Sequence, residues 1–194
     1  MTTTTWRVPV RRFAMATSAA LVLVLGAALV AAPMAQGASS SFKDVPASHQ
    51  FRSEITWLSS KGITTGYADG TFKPKAAVTR EAFAAFLYRL EGSPKVALPS
   101  KSPFKDVSRS DKFFKEIMWL KSTGITTGWA DGTFRPKDNI SREAMAAFLY
   151  RASGESYWWG YDELFTDVSY SAKFFDEIDW LAAQGITTGY NTGY

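Results

Sequence analysis

The chain has 194 residues, no cysteine, one histidine and a formal charge of +4. Without cysteine it has no disulfide framework, thiolate metal site or thiol nucleophile. The basic surplus lies at the start, where Arg7, Arg11 and Arg12 have no acidic residue beside them in the first 37 positions; beyond those, 19 basic residues face 18 acidic ones. Such a balance gives no basis for a nucleic-acid partner.

Residues 1–37 read as a signal peptide: a basic stretch ending at Arg12, an apolar run from Phe13 to Ala32, and small residues from Ala31 to Ser41. Cleavage after Gly37 places Ala35 and Gly37 where small side chains are required. Arg11-Arg12-Phe13 resembles a twin-arginine signal but lacks the usual polar residue ahead of the pair, so general secretion is favoured. An uncleaved anchor is the alternative, since the run is long enough to span a bilayer.

The remainder is repetitive. Residues 124–151, GITTGWADGTFRPKDNISREAMAAFLYR, match 62–89 at 21 of 28 positions. Phe42, Asp44 and Val45 recur as Phe104, Asp106 and Val107 and again as Phe165, Asp167 and Val168, a period of 62 and then 61 residues. Self-similarity at a fixed period marks a repeat architecture. The expected domains are repeat 1 at 42–103, repeat 2 at 104–164 and the first half of a third at 165–194.

Each repeat opens with a predicted short helix. Ser48, Ser110 and Ser171 stand where a serine oxygen caps free amides. Phe51, Ile55 and Leu58, with their counterparts 113, 117, 120 and 174, 178, 181, lie at i, i+4 and i+7 on one face. Gly62, Gly124 and Gly185 stand where a left-handed residue ends the helix. Trp57, Trp119 and Trp180 lie about 200° round the helix from the isoleucines, on a second apolar face. That face either packs on a neighbouring repeat or offers a platform on which a sugar ring stacks.

The segments 63–72 and 125–134 carry Asp69-Gly70 and Asp131-Gly132, which predict a tight turn or short hairpin. One aspartate per loop is too few oxygen ligands for calcium, so no metal is expected. A second helix is predicted from Thr79 and from Ser141, with Arg80-Glu81 and Arg142-Glu143 in its first turn. An arginine opposes the helix dipole there, so its recurrence asks for a reason. Phe83, Phe86, Leu87 and Leu90, and Met145, Phe148, Leu149 and Ala152, form the predicted apolar stripe, ended by Gly92 and Gly154. A proline-bearing linker follows at 92–103. At 153–164 the linker holds Tyr157, Trp158, Trp159 and Tyr161, read as cover for a seam between repeats or as a glycan contact.

The order F-x-D-V, W-L, G-I-T-T-G-Y/W-x-D-G-T-F-x-P, T/S-R-E-A-x-A-A-F-L-Y-R closely resembles the S-layer homology module of bacterial cell-surface proteins, over residues 42–194. The resemblance implies a mainly α fold of helix-loop-helix repeats in a pseudo-threefold arrangement, the third repeat truncated. It also implies a non-catalytic anchor whose inter-module grooves hold secondary cell-wall polysaccharide, often carrying ketal-linked pyruvate. By position, the family's binding arginine falls on Arg80 and Arg142, and its loop aspartate on Asp69 and Asp131. A guanidinium holds a pyruvyl carboxylate through two parallel hydrogen bonds, and free helix amides beside it add to the attraction. The competing reading is an arginine-to-aspartate pair that ties the loop to the second helix.

Two departures stand out. Glutamate is third in T-R-E-A rather than fourth, so Glu81 and Glu143 cannot close a capping box. The third copy as given stops at Tyr194, before the position of its arginine, and Thr192 replaces the turn aspartate. The leading expectation is thus an exported wall-binding module with no cofactor, secreted and held at the cell wall. Glycan contacts are expected at Arg80, Arg142, Asp69, Asp131, Trp57 and Trp119. The alternatives are a structural surface protein that assembles with other copies of itself, or a piece of a longer surface enzyme. Catalysis within this chain is disfavoured because Asp44, Glu54, Asp69 and Glu81 recur in the second copy, which suits structural roles.

Overall fold

The computed structural model describes residues 42–156 and 163–190. Residues 1–37, expected to be a signal peptide, and the aromatic run of Tyr157, Trp158, Trp159 and Tyr161 lie outside the described residues. Five helices occur among them: α1 (Arg52–Ser60), α2 (Arg80–Leu90), α3 (Phe114–Ser122), α4 (Arg142–Ser153) and α5 (Phe175–Ala183). No strand forms there; a single antiparallel bridge joins Thr79 to Asn139.

The first helix of each repeat starts later than its serine. Its N-caps are Phe51, Phe113 and Phe174, none with a side-chain capping bond. A backbone turn does the capping instead: Asp111 N–H donates to Ser108 O and Phe114 N–H to Asp111 O, each at 3.0 Å. Ser110 and Ser171 instead pair with the hydroxyls of Ser108 and Ser169. The helix ends agree with expectation. Gly62, Gly124 and Gly185 have φ of 68°, 77° and 67°. At the first of them Ile63 N–H reaches back to Leu58 O at 2.9 Å, which satisfies an otherwise orphaned carbonyl.

α2 and α4 start at the predicted residues. Thr79 Oγ1 accepts from Ala82 N–H at 3.3 Å and Ser141 Oγ from Ala144 N–H at 3.2 Å. No capping box closes, and the Glu81 carboxylate turns to Lys137 at 2.6 Å. The buried face of α2 is rotated from the predicted stripe. Ala84, Ala85, Leu87 and Tyr88 are buried, whereas Leu90 is 41% exposed. Small alanines let the next helix approach closely, and an aromatic outside the stripe then fills the interface.

Residues 42–76 and 77–190 form separate compact units. In the smaller one Phe42, Val45 and Ile55 pack with Phe72, the Phe42 and Phe72 rings 5.3 Å apart. In the larger one the helices pair across repeat boundaries, α2 with α3 and α4 with α5. Its core joins Leu87 and Tyr88 to Phe104, Ile117, Trp119, Leu120 and Phe134. Trp119 meets Tyr88 edge-on at 5.5 Å and Trp180 meets Tyr150 in the same way at 5.5 Å. The second tryptophan face is therefore where a first helix receives the last helix of the repeat before it.

Candidate functional site: arginine clefts at the starts of α2 and α4

Each of the first two repeats carries a loop whose shape is set by two aspartates. Asp106 lies 28 residues before Phe134 and accepts its N–H at 2.8 Å and that of Arg135 at 2.7 Å. Asp44 holds Phe72 and Lys73 likewise, at 2.8 and 2.7 Å. The Phe72 amide bond is the main reason the Asp44 carboxyl is held below the usual carboxylate range. Inside the turn, Asp131 accepts from Thr133 N–H at 3.0 Å and its hydroxyl at 2.5 Å, and pairs with Arg135 at 3.0 Å. The Thr133 hydroxyl first, then Arg135, lowers its pKa to about 2. Asp69 makes the same bonds to Thr71 at 3.0 and 2.6 Å, and Lys73 lies 3.9 Å away.

Because the folded pKa of Asp131 is depressed, its contribution to the turn is present above the unfolded value of about 3.9 and is lost as pH falls through the folded one. The Thr133 amide resonance is expected to titrate with a midpoint near pH 2. An NMR titration checks this, and the step should vanish in Asp131→Asn.

Against the second repeat's loop stands the start of α2. Arg80 is 6% exposed, and its Nε donates to Phe134 O at 2.8 Å. Its guanidinium carbon lies 4.9 Å from the Phe134 ring, 5.4 Å from Phe148 and 5.8 Å from Trp129. Burial pushes its pKa below the ordinary arginine value, and Asp138 partly offsets this; an arginine stays charged regardless. The first amides of α2 are not free: Arg80 N–H donates to Asp138 O at 2.9 Å and Glu81 N–H to Pro136 O at 3.0 Å.

Arg142, the counterpart at α4, is exposed. Its Nη2 reaches Thr187 Oγ1 at 3.2 Å and its Nη1 the Tyr190 hydroxyl at 3.4 Å, with the guanidinium 4.8 Å over the Tyr190 ring. It borders a cavity of about 730 Å³ between α4 and the third repeat. Among the described residues neither arginine pairs with a carboxylate. The expected arginine-to-aspartate tie is thus replaced by a tie from Arg80 to a carbonyl.

The other expected residues divide. Trp119 is 6% exposed beneath Tyr88, so no ring face is left for a sugar; Trp57, with no earlier helix upon it among the described residues, is 48% exposed. The residues sequence reasoning missed are Trp129, Tyr190 and Phe134. Trp129 is 45% exposed and covered on one side by Arg135, 4.0 Å from the ring centre. The aromatic repeated after G-I-T-T-G was the available signal.

These helix-loop-helix units, with an arginine at the start of α2 and of α4, define a repeat module. The S-layer homology domain model matches residues 41–84, 103–146 and 164–194, more than half of the chain. The chain belongs to the S-layer homology domain family, with three repeats of which the last is short. It is 32% identical over 171 residues to Cell surface glycoprotein 1 of Acetivibrio thermocellus, covering 80% of this chain and 7% of that one. It is also 39% identical to an endoglucanase of a Bacillus species, over 57% of this chain and 11% of that one. The S-layer protein EA1 of Bacillus anthracis is 33% identical over 63% of this chain and 14% of its own. The chain therefore spans a small part of the length of these relatives.

Proposed function

We propose that this chain is an exported, non-catalytic wall-binding module, its repeats set about a pseudo-threefold axis, which holds an anionic, pyruvylated secondary cell-wall polysaccharide. The observation that carries the reading is the pair of guanidinium groups at 80 and 142, each fixed by neutral groups and an aromatic wall and neither paired with a carboxylate among the described residues. A cation held this way keeps Nη donors for a ligand carboxylate. Arg142 is the open contact, while Arg80 offers only an outer edge. Asp69 and Asp131 act by shaping the turns, and Trp57 and Trp129 supply exposed rings on which sugars stack. The cell-surface relatives support localisation at the wall.

Retention on purified sacculi tests it. Arg142→Lys is expected to leave the melting temperature unchanged and to weaken retention about ten-fold or more, the worth of a charge-assisted hydrogen bond. Arg80→Lys should lower both, because it also removes the bond to Phe134 O. Undiminished retention by a folded Arg142→Lys chain and by the folded double variant overturns the arginine site.

A further inference from the structure

The junction of α2 with α3 and that of α4 with α5 are built alike but finished differently. At the second, Trp180 meets Tyr150 edge-on and its indole N–H donates to a Glu155 carboxylate oxygen at 2.8 Å. At the first, Trp119 meets Tyr88 in the same way, but Ser93 holds the sequence position of Glu155 and brings no carboxylate to the indole. Among the described residues the Trp119 indole N–H has no hydrogen-bond partner, and no side-chain nitrogen is buried without one, so this N–H reaches open space.

That space is a cavity of about 280 Å³ lined by Trp119, Glu91, Pro94, Ile125, Arg151 and Ala152. It sits at the closing ends of α2, α3 and α4, whereas Arg80 and Arg142 stand at the opening ends of α2 and α4. Arg151 supplies its positive charge. The Nη2 of Arg151 lies 3.2 Å from Glu177 Oε1 and its Nη1 lies 3.4 Å from Ile125 O. Both bonds are longer than the 2.7–2.9 Å or so usual for a guanidinium on a carboxylate. They also leave most of its N–H donors unused. Helix C-termini by themselves disfavour an anion. Yet the Glu155 carboxylate rests on the equivalent indole beside the ends of α4 and α5, so a well-placed N–H outweighs the dipoles there.

We infer that this cavity binds the carboxylate of a small ligand, one oxygen taking the Trp119 indole N–H and the other the unused edge of Arg151. What the second junction supplies from its own chain, the first receives from outside. Pro94, Ile125 and Ala152 give the ligand's carbon end a short apolar wall, and Glu91, the acidic residue of the lining, disfavours a second negative charge. The ligand class is thus a monocarboxylate with a short carbon body, met either as a free organic acid or as the C-terminal carboxylate of a peptide. The site is separate from the arginine clefts and stands whether or not those hold glycan.

The test follows the indole N–H signals of the 194-residue chain by proton–nitrogen correlation NMR at constant ionic strength, with propionate, N-acetylalanine and propionamide as probes. The signals lost in Trp119→Phe and Trp180→Phe assign the two indoles. Either acid is expected to shift the Trp119 signal saturably, with half-saturation at about 10 mM or below, and to leave that of Trp180, already bonded to Glu155, in place. Propionamide, of the same shape without the charge, should shift neither. Tighter binding of N-acetylalanine than of propionate assigns the site to a peptide end; equal or weaker binding assigns it to a free acid. Arg151→Gln should weaken binding about ten-fold or more, and Glu177→Gln, which releases Arg151 from its carboxylate, should strengthen it. Circular dichroism confirms that each variant is folded; where Arg151→Gln is not, Glu177→Gln decides. No saturable shift at about 100 mM acid, an equal response at Trp180, or an affinity unchanged in the folded variants overturns the proposal.

Discussion

Phe134→Ala is expected to destabilise the larger unit by about 3–5 kcal/mol, the range for emptying a buried phenylalanine site. The side chain is fully buried between the Phe104 ring and the Arg80 guanidinium. Its backbone is pinned at both ends, by Asp106 at the amide and Arg80 at the carbonyl, so the loop cannot collapse into the space. Urea unfolding monitored by circular dichroism checks the value. A loss under about 1 kcal/mol would mean that the site closes over, contrary to the pinned geometry.

Gly128→Ala is the second change of that size. Gly128 has φ of 79°, a left-handed conformation that costs a side-chain-bearing residue about 1–2 kcal/mol. A methyl group there meets the Phe104 ring at 2.5 Å and the Thr133 carbonyl at 2.9 Å, neither of which can swing away. Overpacking of this kind costs a further 1–3 kcal/mol or so. The ring contact recurs at Gly66 with Phe42 and at Gly189 with Phe165, and at Gly66 the Thr71 carbonyl is close as well. In the open third repeat the ring has room to retreat, so Gly189→Ala is expected to be milder. Thermal melts of the two variants side by side measure the difference.

What the sequence disclosed was decided locally. Thr79 and Ser141 cap α2 and α4, and Gly62, Gly124 and Gly185 end the first helices, because each acts on amides or carbonyls a few residues away. What it withheld depends on distant neighbours. The partner of Arg80 is a carbonyl 54 residues on, and a carbonyl leaves no mark in side-chain chemistry. Trp57 and Trp119 stand in nearly the same local sequence, yet one is exposed and the other buried, because among the described residues only the second meets a helix from the preceding repeat. Ser48, Ser110 and Ser171 failed as caps because a backbone turn took the first amides before any hydroxyl was needed.

The pairing of α2 with α3 and of α4 with α5 means that the sequence repeat and the packing unit are out of phase. A graft that exchanges whole sequence repeats between relatives, joined near residue 103, would separate Tyr88 from Trp119 and force two unacquainted surfaces to form a core. Joined instead in the loop between α3 and α4, it would carry the Tyr88 and Trp119 pair across intact. The transferable cassette in this chain begins with a second helix and ends with a first one, so swaps of wall affinity between such proteins should be cut in that frame.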